Sequence, residues 1–174
     1  MSRLLVVHHS PTRSLRSLTD AVVAGAHDDA IEGVEVTVLE ALAFARGEAD
    51  HEDVLAADGY VLGTTANFGY MSGALKHVFD STFLHVGGAL SDDGSAAGPE
   101  GGASSGGLTA RRPFGLYVHG RYDTTGAVRS VLSITGALGW TQGYGVLEVM
   151  GDVTGADTHS AYELGGTIAA LLAG

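Results

Sequence analysis

Three short segments of the sequence hold the side chains and backbone groups best suited to bind a small ligand. They are residues 9–15, 64–72 and 119–126, and all three are rich in Gly, Ser, Thr, Asn or His. Each follows a short apolar run that is typical of a buried strand. Because the carboxyl ends of neighbouring parallel strands meet at one edge of a sheet, we expect the segments to converge on one crevice.

The first segment, residues 9–15, is suited to hold a phosphate group. It reads His-Ser-Pro-Thr-Arg-Ser-Leu and leads into a helix, whose first backbone amides attract anions. The hydroxyls of Ser10, Thr12 and Ser14 could complete the shell, and the guanidinium of Arg13 could add a charge. The alternative is a plain helix cap with Ser14 as the capping residue. The segment has neither a Walker A loop nor a GxGxxG fingerprint, which argues against a nucleotide triphosphatase and a Rossmann dehydrogenase.

The second segment is suited to read the edge of a flat ring. It runs Gly-Thr-Thr-Ala-Asn-Phe-Gly-Tyr-Met-Ser-Gly over residues 63–73. Gly69 lets the main chain approach a ligand closely. The side chains of Phe68, Tyr70 or Met71 could cover the ring by stacking or by a sulfur contact. The alternative is that Phe68 and Tyr70 are ordinary core or surface aromatics.

The elements that must position these segments follow an alternating α/β pattern. Strand-like apolar runs lie at residues 4–7, 34–38, 60–62, 114–118 and 146–149. Helical periodicity covers residues 15–26, 52–57, 73–84, 127–138 and 160–172. This alternation predicts an α/β fold with a five-stranded parallel sheet between two helical layers. The usual strand order is then 2-1-3-4-5, with the ligand at the switch between strands 1 and 3.

The second segment and the helix after it closely resemble NAD(P)H-dependent FMN reductases and quinone reductases of the flavodoxin-like superfamily. Their pattern is roughly G-[ST]-P-x-[YN]-x-G-x-[MP]-[ST]-G-x-[LM]-K, followed by an F-[LF]-D element where this chain has Val78-Phe79-Asp80. The match covers about seventeen residues without a gap. It departs from the pattern at Ala66, where the family usually has proline. The resemblance, which extends to quinone reductases of the tryptophan-repressor-binding-protein type, implies a single flavodoxin-like three-layer sandwich over residues 1–174.

The resemblance also implies that the three segments bind FMN. In the first, the expected contacts are Ser10, Thr12, Arg13, Ser14 and Leu15. In the second, they are Thr65, Ala66, Asn67, Phe68, Gly69, Tyr70 and Met71. In the third, which would face the pyrimidine or dimethylbenzene side of the flavin, they are His119, Gly120, Arg121 and Tyr122. For His119 the alternative is an ordinary hydrogen-bonded histidine at a strand end.

The activity implied is a two-electron transfer from NADH or NADPH through FMN to a quinone-like small molecule. The flavin carries that chemistry, so no side chain is expected to act as a catalytic acid or base. One alternative is a one-electron carrier of the flavodoxin type, which the acidic composition fits, although Asp123 is the only acidic residue in the three segments. The other is a flavin-free binding module on the same fold. Relatives often bind flavin at a subunit interface, so a homodimer or homotetramer is expected.

The composition excludes several other classes of function. The formal net charge is −11, which disfavours nucleic acid as a partner. There is no cysteine, so disulfides and thiolate metal sites are excluded, and the histidines show no spacing of a metal site. No apolar run approaches the roughly 20 residues that cross a bilayer, so we expect no membrane insertion and a cytoplasmic location.

A glycine- and serine-rich stretch at about residues 87–107 interrupts the α/β rhythm. Its composition predicts a flexible insertion. A loop of this length inside a compact domain is either disordered or functional. The functional alternative is a flap beside the ligand or a contact with a second subunit.

Overall fold

The computed structural model of the protein describes residues 1–87, Asp93, Ser95 and residues 107–173. Most of the predicted insertion at 87–107 therefore lies outside the described residues. The described strands are β1 Ser2–His8, β2 Val34–Glu40, β3 Gly59–Asn67, β4 Tyr70–Met71, β5 Pro113–Gly120, β6 Thr141–Gln142 and β7 Leu147–Met150. The described helices are α1 Arg13–Ala26, α2 Ala41–Arg46, α3 His51–Ala56, α4 Gly73–Gly87, α5 Thr125–Ala137 and α6 Gly155–Leu172. None of these helices is long and apolar enough to cross a membrane.

The main sheet is parallel and has the predicted strand order, with its fifth position split in two. Strands β2, β1, β3 and β5 lie side by side, and both β6 and β7 pair with β5. β6 pairs with the start of β5, at Pro113 and Phe114, and β7 pairs with its end, from Tyr117 to Gly120. The residues 143–146, Gly-Tyr-Gly-Val, separate the two halves, and their two glycines weaken the strand at this point. The predicted order 2-1-3-4-5 is confirmed.

Two helical layers cover the sheet, which completes the predicted sandwich. Alternate residues of β1 face opposite layers, with Leu4 and Val6 in one core and Leu5 and Val7 in the other. The first core is closed by α1 and α6, and the second by α2 to α5. α1 and α6 pack backbone to backbone, since a Cβ at Gly25 would overlap the carbonyl of Tyr162.

Several element boundaries differ from the sequence prediction, and each difference has a local cause. α6 begins at Gly155 rather than 160, because Thr154 and Asp157 form a capping box that starts the helix earlier. The short α2 was not predicted, because its sequence Ala-Leu-Ala-Phe-Ala-Arg is apolar at five of six positions and shows no helical periodicity. β3 extends beyond the predicted 60–62 to Asn67 and turns back as β4. This last difference shapes the candidate site.

Candidate functional site

The three predicted segments lie side by side at the carboxyl edge of the sheet. In the parallel register, His8 of β1 stands opposite Gly63 of β3, and Thr65 of β3 stands opposite His119 of β5. The backbone N–H of His9 donates to the carbonyl of Gly63 at 3.0 Å, which ties the first segment to the second. The crevice between β1 and β3 is thus the switch point at which α/β sheets of this order bind ligands.

In the first segment, Thr12 rather than Ser14 caps the helix. Thr12 has extended backbone angles, and its Oγ1 accepts from the N–H of Leu15 at 3.2 Å. Leu15 is fully buried and its amide is already bonded, so its predicted contact with a cofactor is not favoured. Ser14 lies inside the first turn, half-buried, beside the exposed Arg13. The first turn of α1 carries no acidic residue, so its positive end is not neutralised there.

The hydroxyl of Ser10 is held by groups behind the crevice. Ser10 Oγ lies 3.0 Å from Nδ1 of His8 and 2.7 Å from Oγ1 of Thr19. Burial lowers the pKa of His8, which keeps its imidazole neutral near pH 7, although the charges of Glu40 and Asp20 act in the opposite direction. The side chain predicted to meet a phosphate is therefore fixed in place by the fold.

The second segment forms a tight β-hairpin at the mouth of the crevice. Ala66 pairs with Met71 and Asn67 with Tyr70, which leaves Phe68 and Gly69 as the two turn residues. Their φ angles are 50° and 74°, and positive φ at both central residues is what a type I′ hairpin turn requires. A left-handed Phe costs on the order of 1 kcal/mol or more, and such strain clusters at binding sites.

The side chains predicted to cover a ring fall into two groups. Phe68 is fully exposed and Tyr70 is 46% exposed, so both can meet a ligand. Met71 is 2% exposed and belongs to the core beneath the hairpin. Successive strand residues point to opposite faces, so Tyr70 and Met71 could not both face the crevice. The ring cover is thereby narrowed to Phe68 and Tyr70.

The base of the hairpin is locked by two buried hydroxyls. Thr64 Oγ1 donates to the carbonyl of Thr65 at 2.9 Å and accepts from the N–H of Ser72 at 2.9 Å. Ser72 Oγ accepts from the N–H of Leu75 at 3.1 Å, so Ser72 caps α4 as the sequence predicted. The hairpin is therefore a rigid extension of the sheet rather than a free loop.

The third segment is tied to the loop that follows β7. Nε2 of His119 donates to the carbonyl of Gly151 at 2.8 Å, and Arg121 makes an exposed ion pair with Asp152 at 3.0 Å. His119 therefore fits the alternative of an ordinary hydrogen-bonded histidine. Tyr122 is 92% exposed at the rim of the crevice.

Gly120 gives the third segment close contact with the second. A Cβ at Gly120 would lie 3.1 Å from the Cβ of Ala66 and 3.0 Å from Cγ2 of Thr124. Any larger side chain would push the two segments apart. The predicted residues Ala66 and Gly120 thus form the floor between the second and third segments.

Two buried side-chain polar atoms in the described part of the chain lack a hydrogen-bond partner, and both belong to residues at the carboxyl edge of β1 and β3. They are Nδ1 of His9, directly after β1, and Oγ1 of Thr65, on β3. Buried polar groups are nearly always bonded in native proteins, so such atoms mark a place where a ligand can bond. The sequence prediction included Thr65 but gave His9 no role. A signal for His9 was present in the sequence, because His8 and His9 are adjacent at a strand end and adjacent side chains there point to opposite faces of the sheet.

The protonation state of His9 is compatible with such a role. Burial lowers the pKa of His9, partly opposed by the charge of Glu40, so the ring is neutral near pH 7. A neutral imidazole can either donate or accept at Nδ1. Among the described residues no group of three or more His, Asp or Glu side chains could hold a metal ion.

A second depression of about 520 Å³ lies outside the crevice, between α5 and β7. It is shallow and mostly apolar, and no orphaned polar atom in the described residues points into it. Its lining residues are Thr125, Val128, Arg129, Leu132, Ser133 and Glu148. The crevice is the better candidate, because it combines orphaned polar atoms, a strained hairpin and a helix start.

Comparison with known proteins agrees with the fold. A curated flavodoxin from Aquifex aeolicus (strain VF5) is 30% identical over 134 residues, which cover 72% of this chain and 69% of the relative. Among solved structures, a flavodoxin from the domain Archaea superposes with a TM-score of 0.71 at 15% identity, covering 98% of both chains. A WrbA-like flavodoxin from Agrobacterium tumefaciens gives 0.66 at 19% identity, covering 99% of this chain and 98% of the other. No family model matches the chain.

The sheet order and the edge crevice define a protein of the flavodoxin-like α/β class. The similarity to the curated flavodoxin establishes more than a shared fold, because the sequence identity of 30% extends over most of both chains. The chain belongs to the flavodoxin family.

Proposed function

We propose that the crevice binds FMN, with the flavin ring at the hairpin and the phosphate at the start of α1. The observation that carries this proposal is the pair of orphaned polar atoms, Nδ1 of His9 directly after β1 and Oγ1 of Thr65 on β3, because β1 and β3 flank the switch point. A flavin ring has donors and acceptors along one edge and can bond both atoms. The curated relative is named a flavodoxin, which supports the same cofactor.

The remaining groups of the crevice suit the other parts of FMN. The exposed rings of Phe68, Tyr70 and Tyr122 provide apolar cover for a flat ring. The uncompensated positive end of α1 and the exposed Arg13 suit a phosphate dianion. Ser10 and Thr12 add hydroxyls at the same end, although that of Thr12 also caps the helix.

We further propose that the protein is an NAD(P)H-dependent reductase of a quinone-like acceptor. Bound FMN supplies the hydride chemistry, and the residues of the crevice bind and orient it. The support is the charge at the rim, where the exposed Arg13 accompanies Asp123, the one acidic residue of the three segments, and Arg121 is paired with Asp152. A rim of this charge favours an anionic dinucleotide more than a rim of carboxylates would.

A one-electron carrier of the flavodoxin type is the second candidate. Two observations favour it: the curated relative is itself a flavodoxin, and the chain carries a net charge of −11. Electrochemistry of the FMN-loaded protein separates the two candidates. Two well-separated one-electron potentials indicate a carrier, whereas one two-electron step together with anaerobic bleaching by NADH or NADPH indicates a reductase. Failure of both nicotinamides to bleach the flavin would contradict the reductase proposal.

Replacing Thr65 with valine tests the FMN site itself. The substitution keeps the shape of the side chain and removes the orphaned hydroxyl. FMN affinity, measured by quenching of flavin fluorescence, should fall about tenfold, while the ligand-free protein should become slightly more stable because a buried unsatisfied group is lost. The opposite signs of the two effects distinguish a ligand contact from a structural one.

A suitable control is Thr82→Val, at a buried threonine of α4 whose Oγ1 donates to the carbonyl of Val78 at 2.8 Å. This variant should leave FMN affinity unchanged. If the wild-type protein neither takes up FMN nor quenches its fluorescence, the proposed function is wrong.

A further inference from the structure

A chain of buried hydroxyl groups leads from the core of the sheet to the first segment. Tyr117 on β5 is fully buried, and its hydroxyl lies 2.7 Å from Oγ1 of Thr19 on α1. Thr19 Oγ1 lies 2.7 Å from Ser10 Oγ, which in turn lies 3.0 Å from Nδ1 of His8. Gly63 makes room for the phenol, because a Cβ there would overlap its ring and its oxygen. The chain therefore connects β5, α1 and the loop after β1.

The direction of these hydrogen bonds decides whether Ser10 can donate to a ligand. Each hydroxyl has one hydrogen and two acceptor lone pairs. Burial raises the pKa of Tyr117, so the phenol keeps its hydrogen. Either oxygen could donate in its 2.7 Å bond with Thr19, and we assign Tyr117 as the donor because a fully buried hydroxyl hydrogen needs an acceptor. Thr19 can then donate either to the carbonyl of Leu15 at 3.0 Å or to Ser10.

The two arrangements leave Ser10 in different states. In the first arrangement Thr19 donates to the carbonyl of Leu15, and its Oγ1 accepts from the hydroxyls of both Tyr117 and Ser10. The hydrogen of Ser10 then points inward, toward Thr19. If Thr19 donates to Ser10, and His8 donates to Ser10 from Nδ1 rather than accepting from it, the Ser10 hydrogen is free to bond an anion in the crevice. Hydrogen bonds that run in one direction along a chain also strengthen one another. An anion at the start of α1 selects the second arrangement.

We propose that Tyr117 is a positioning residue that turns the hydroxyl of Ser10 toward the phosphate of the ligand. Tyr117 donates to the buried oxygen of Thr19, so that this oxygen does not need the hydrogen of Ser10. Thr19 can then donate its own hydrogen to Ser10. Without the phenol hydroxyl, Ser10 is the remaining hydroxyl donor for the Thr19 oxygen, and its hydrogen turns inward. This inference rests on the proposed binding of FMN and specifies how its phosphate is held.

The test compares FMN with riboflavin, which has the same ring and no phosphate. Tyr117→Phe removes only the hydroxyl, and both ligands are titrated into the full chain by flavin fluorescence. FMN affinity should fall about tenfold, as expected for one lost hydrogen bond to a charged group. Riboflavin affinity should not change. Thr19→Val breaks the same chain at its middle, keeps the side-chain shape and should give the same pattern.

The matched control is Tyr60→Phe, at a buried tyrosine on the opposite face of the sheet. Its hydroxyl donates to the carbonyl of Val54 at 2.8 Å and has no connection to Ser10. This variant should bind both ligands like the wild type. In a Ser10→Ala background, Tyr117→Phe should have no further effect on FMN affinity, because the residue it positions is gone.

Three results overturn the inference. The first is a Tyr117→Phe variant that binds FMN as tightly as the wild type. The second is an equal loss of FMN and riboflavin affinity, which would indicate a general structural role. The third is an undiminished effect in the Ser10→Ala background. If Tyr117→Phe does not fold, Thr19→Val decides alone. Failure of the wild type to bind either ligand refutes the proposed function, and the inference with it.

Discussion

Replacing Gly126 with alanine should disturb the crevice from its outer side. Gly126 lies in the first turn of α5, directly against the turn of the hairpin. A Cβ there would overlap the carbonyl oxygen of Gly69, well inside the 3.0 Å below which real Cβ atoms are essentially never found. Both groups belong to the backbone, so no side-chain rotation can relieve the overlap. The helix and the hairpin must therefore separate by at least about 1 Å.

The expected cost follows from two opposing effects. Inserting a methyl group into a packed interface costs about 1–3 kcal/mol. Replacing a helical glycine with alanine returns roughly 0.5–1 kcal/mol. The net loss of unfolding free energy should be about 1–2 kcal/mol, which lowers the thermal midpoint by roughly 2–8 °C in a chain of this size. FMN affinity should fall as well, because the displaced Gly69 belongs to the proposed ring contact.

Gly136, in the same helix, provides the control. A Cβ there meets no atom within 4 Å, so Gly136→Ala keeps only the gain in helix propensity. Its thermal midpoint, followed by circular dichroism, should rise by roughly 1–4 °C. Equal stabilisation of the two variants would refute the close contact at Gly126. If Gly126→Ala is destabilised but binds FMN normally, the hairpin is not part of the flavin site.

Two further predictions concern pH and the far end of the sheet. Burial lowers the pKa of His8 and His9 below the ordinary 6.5, so the unfolded chain binds more protons than the folded one in mildly acidic solution. This contribution to stability is complete above pH 6.5 and is lost as the pH falls toward the pKa values of the folded state. The thermal midpoint should therefore fall between pH 7 and pH 5. An equal fall in a His8→Asn/His9→Asn double variant would contradict this role of the two histidines. Arg112 donates to the carbonyl of Leu55 at 2.9 Å and to the Tyr60 hydroxyl at 2.9 Å. Arg112→Met should lower the free energy of unfolding, measured in urea, by about 2–3 kcal/mol, whereas Arg129→Met, at an exposed arginine, should change it by about zero. Similar values for both variants would refute a stabilising role of the Arg112 hydrogen bonds.

The sheet and the convergence of the three segments could be predicted because they depend on patterns that can be recognised directly in the amino-acid sequence. Continuous apolar runs such as residues 4–7 mark strands covered on both faces, and alternation with helices leaves few topologies. Once the order is fixed, the ends of strands 1, 3 and 4 must be neighbours. This conclusion about the strand ends requires no knowledge of individual side-chain contacts.

The orientation of single side chains could not be predicted in the same way. Met71 and Tyr70 both looked suitable for covering a ring, but the hairpin register that buries Met71 depends on the left-handed turn at Phe68. A phenylalanine gives no sequence signal for that conformation. The cap at Thr12 instead of Ser14 likewise depends on backbone angles, since both residue types are favoured N-caps and serine is even the slightly better one.

The features that mark the crevice all lower the stability of the ligand-free protein. Each orphaned polar atom, on His9 and on Thr65, costs roughly 1–3 kcal/mol of desolvation, and the left-handed Phe68 adds strain on the order of 1 kcal/mol. Tertiary packing holds these groups in place, because the hairpin base is locked by Thr64 and Ser72. A ligand that bonds the orphaned atoms removes part of the cost only in the folded state, so binding and folding are linked. At a ligand concentration of 100 Kd the added stability is about 2.7 kcal/mol. A rise in thermal midpoint with FMN that is smaller in Thr65→Val would therefore locate the flavin at the strand edge independently of its fluorescence.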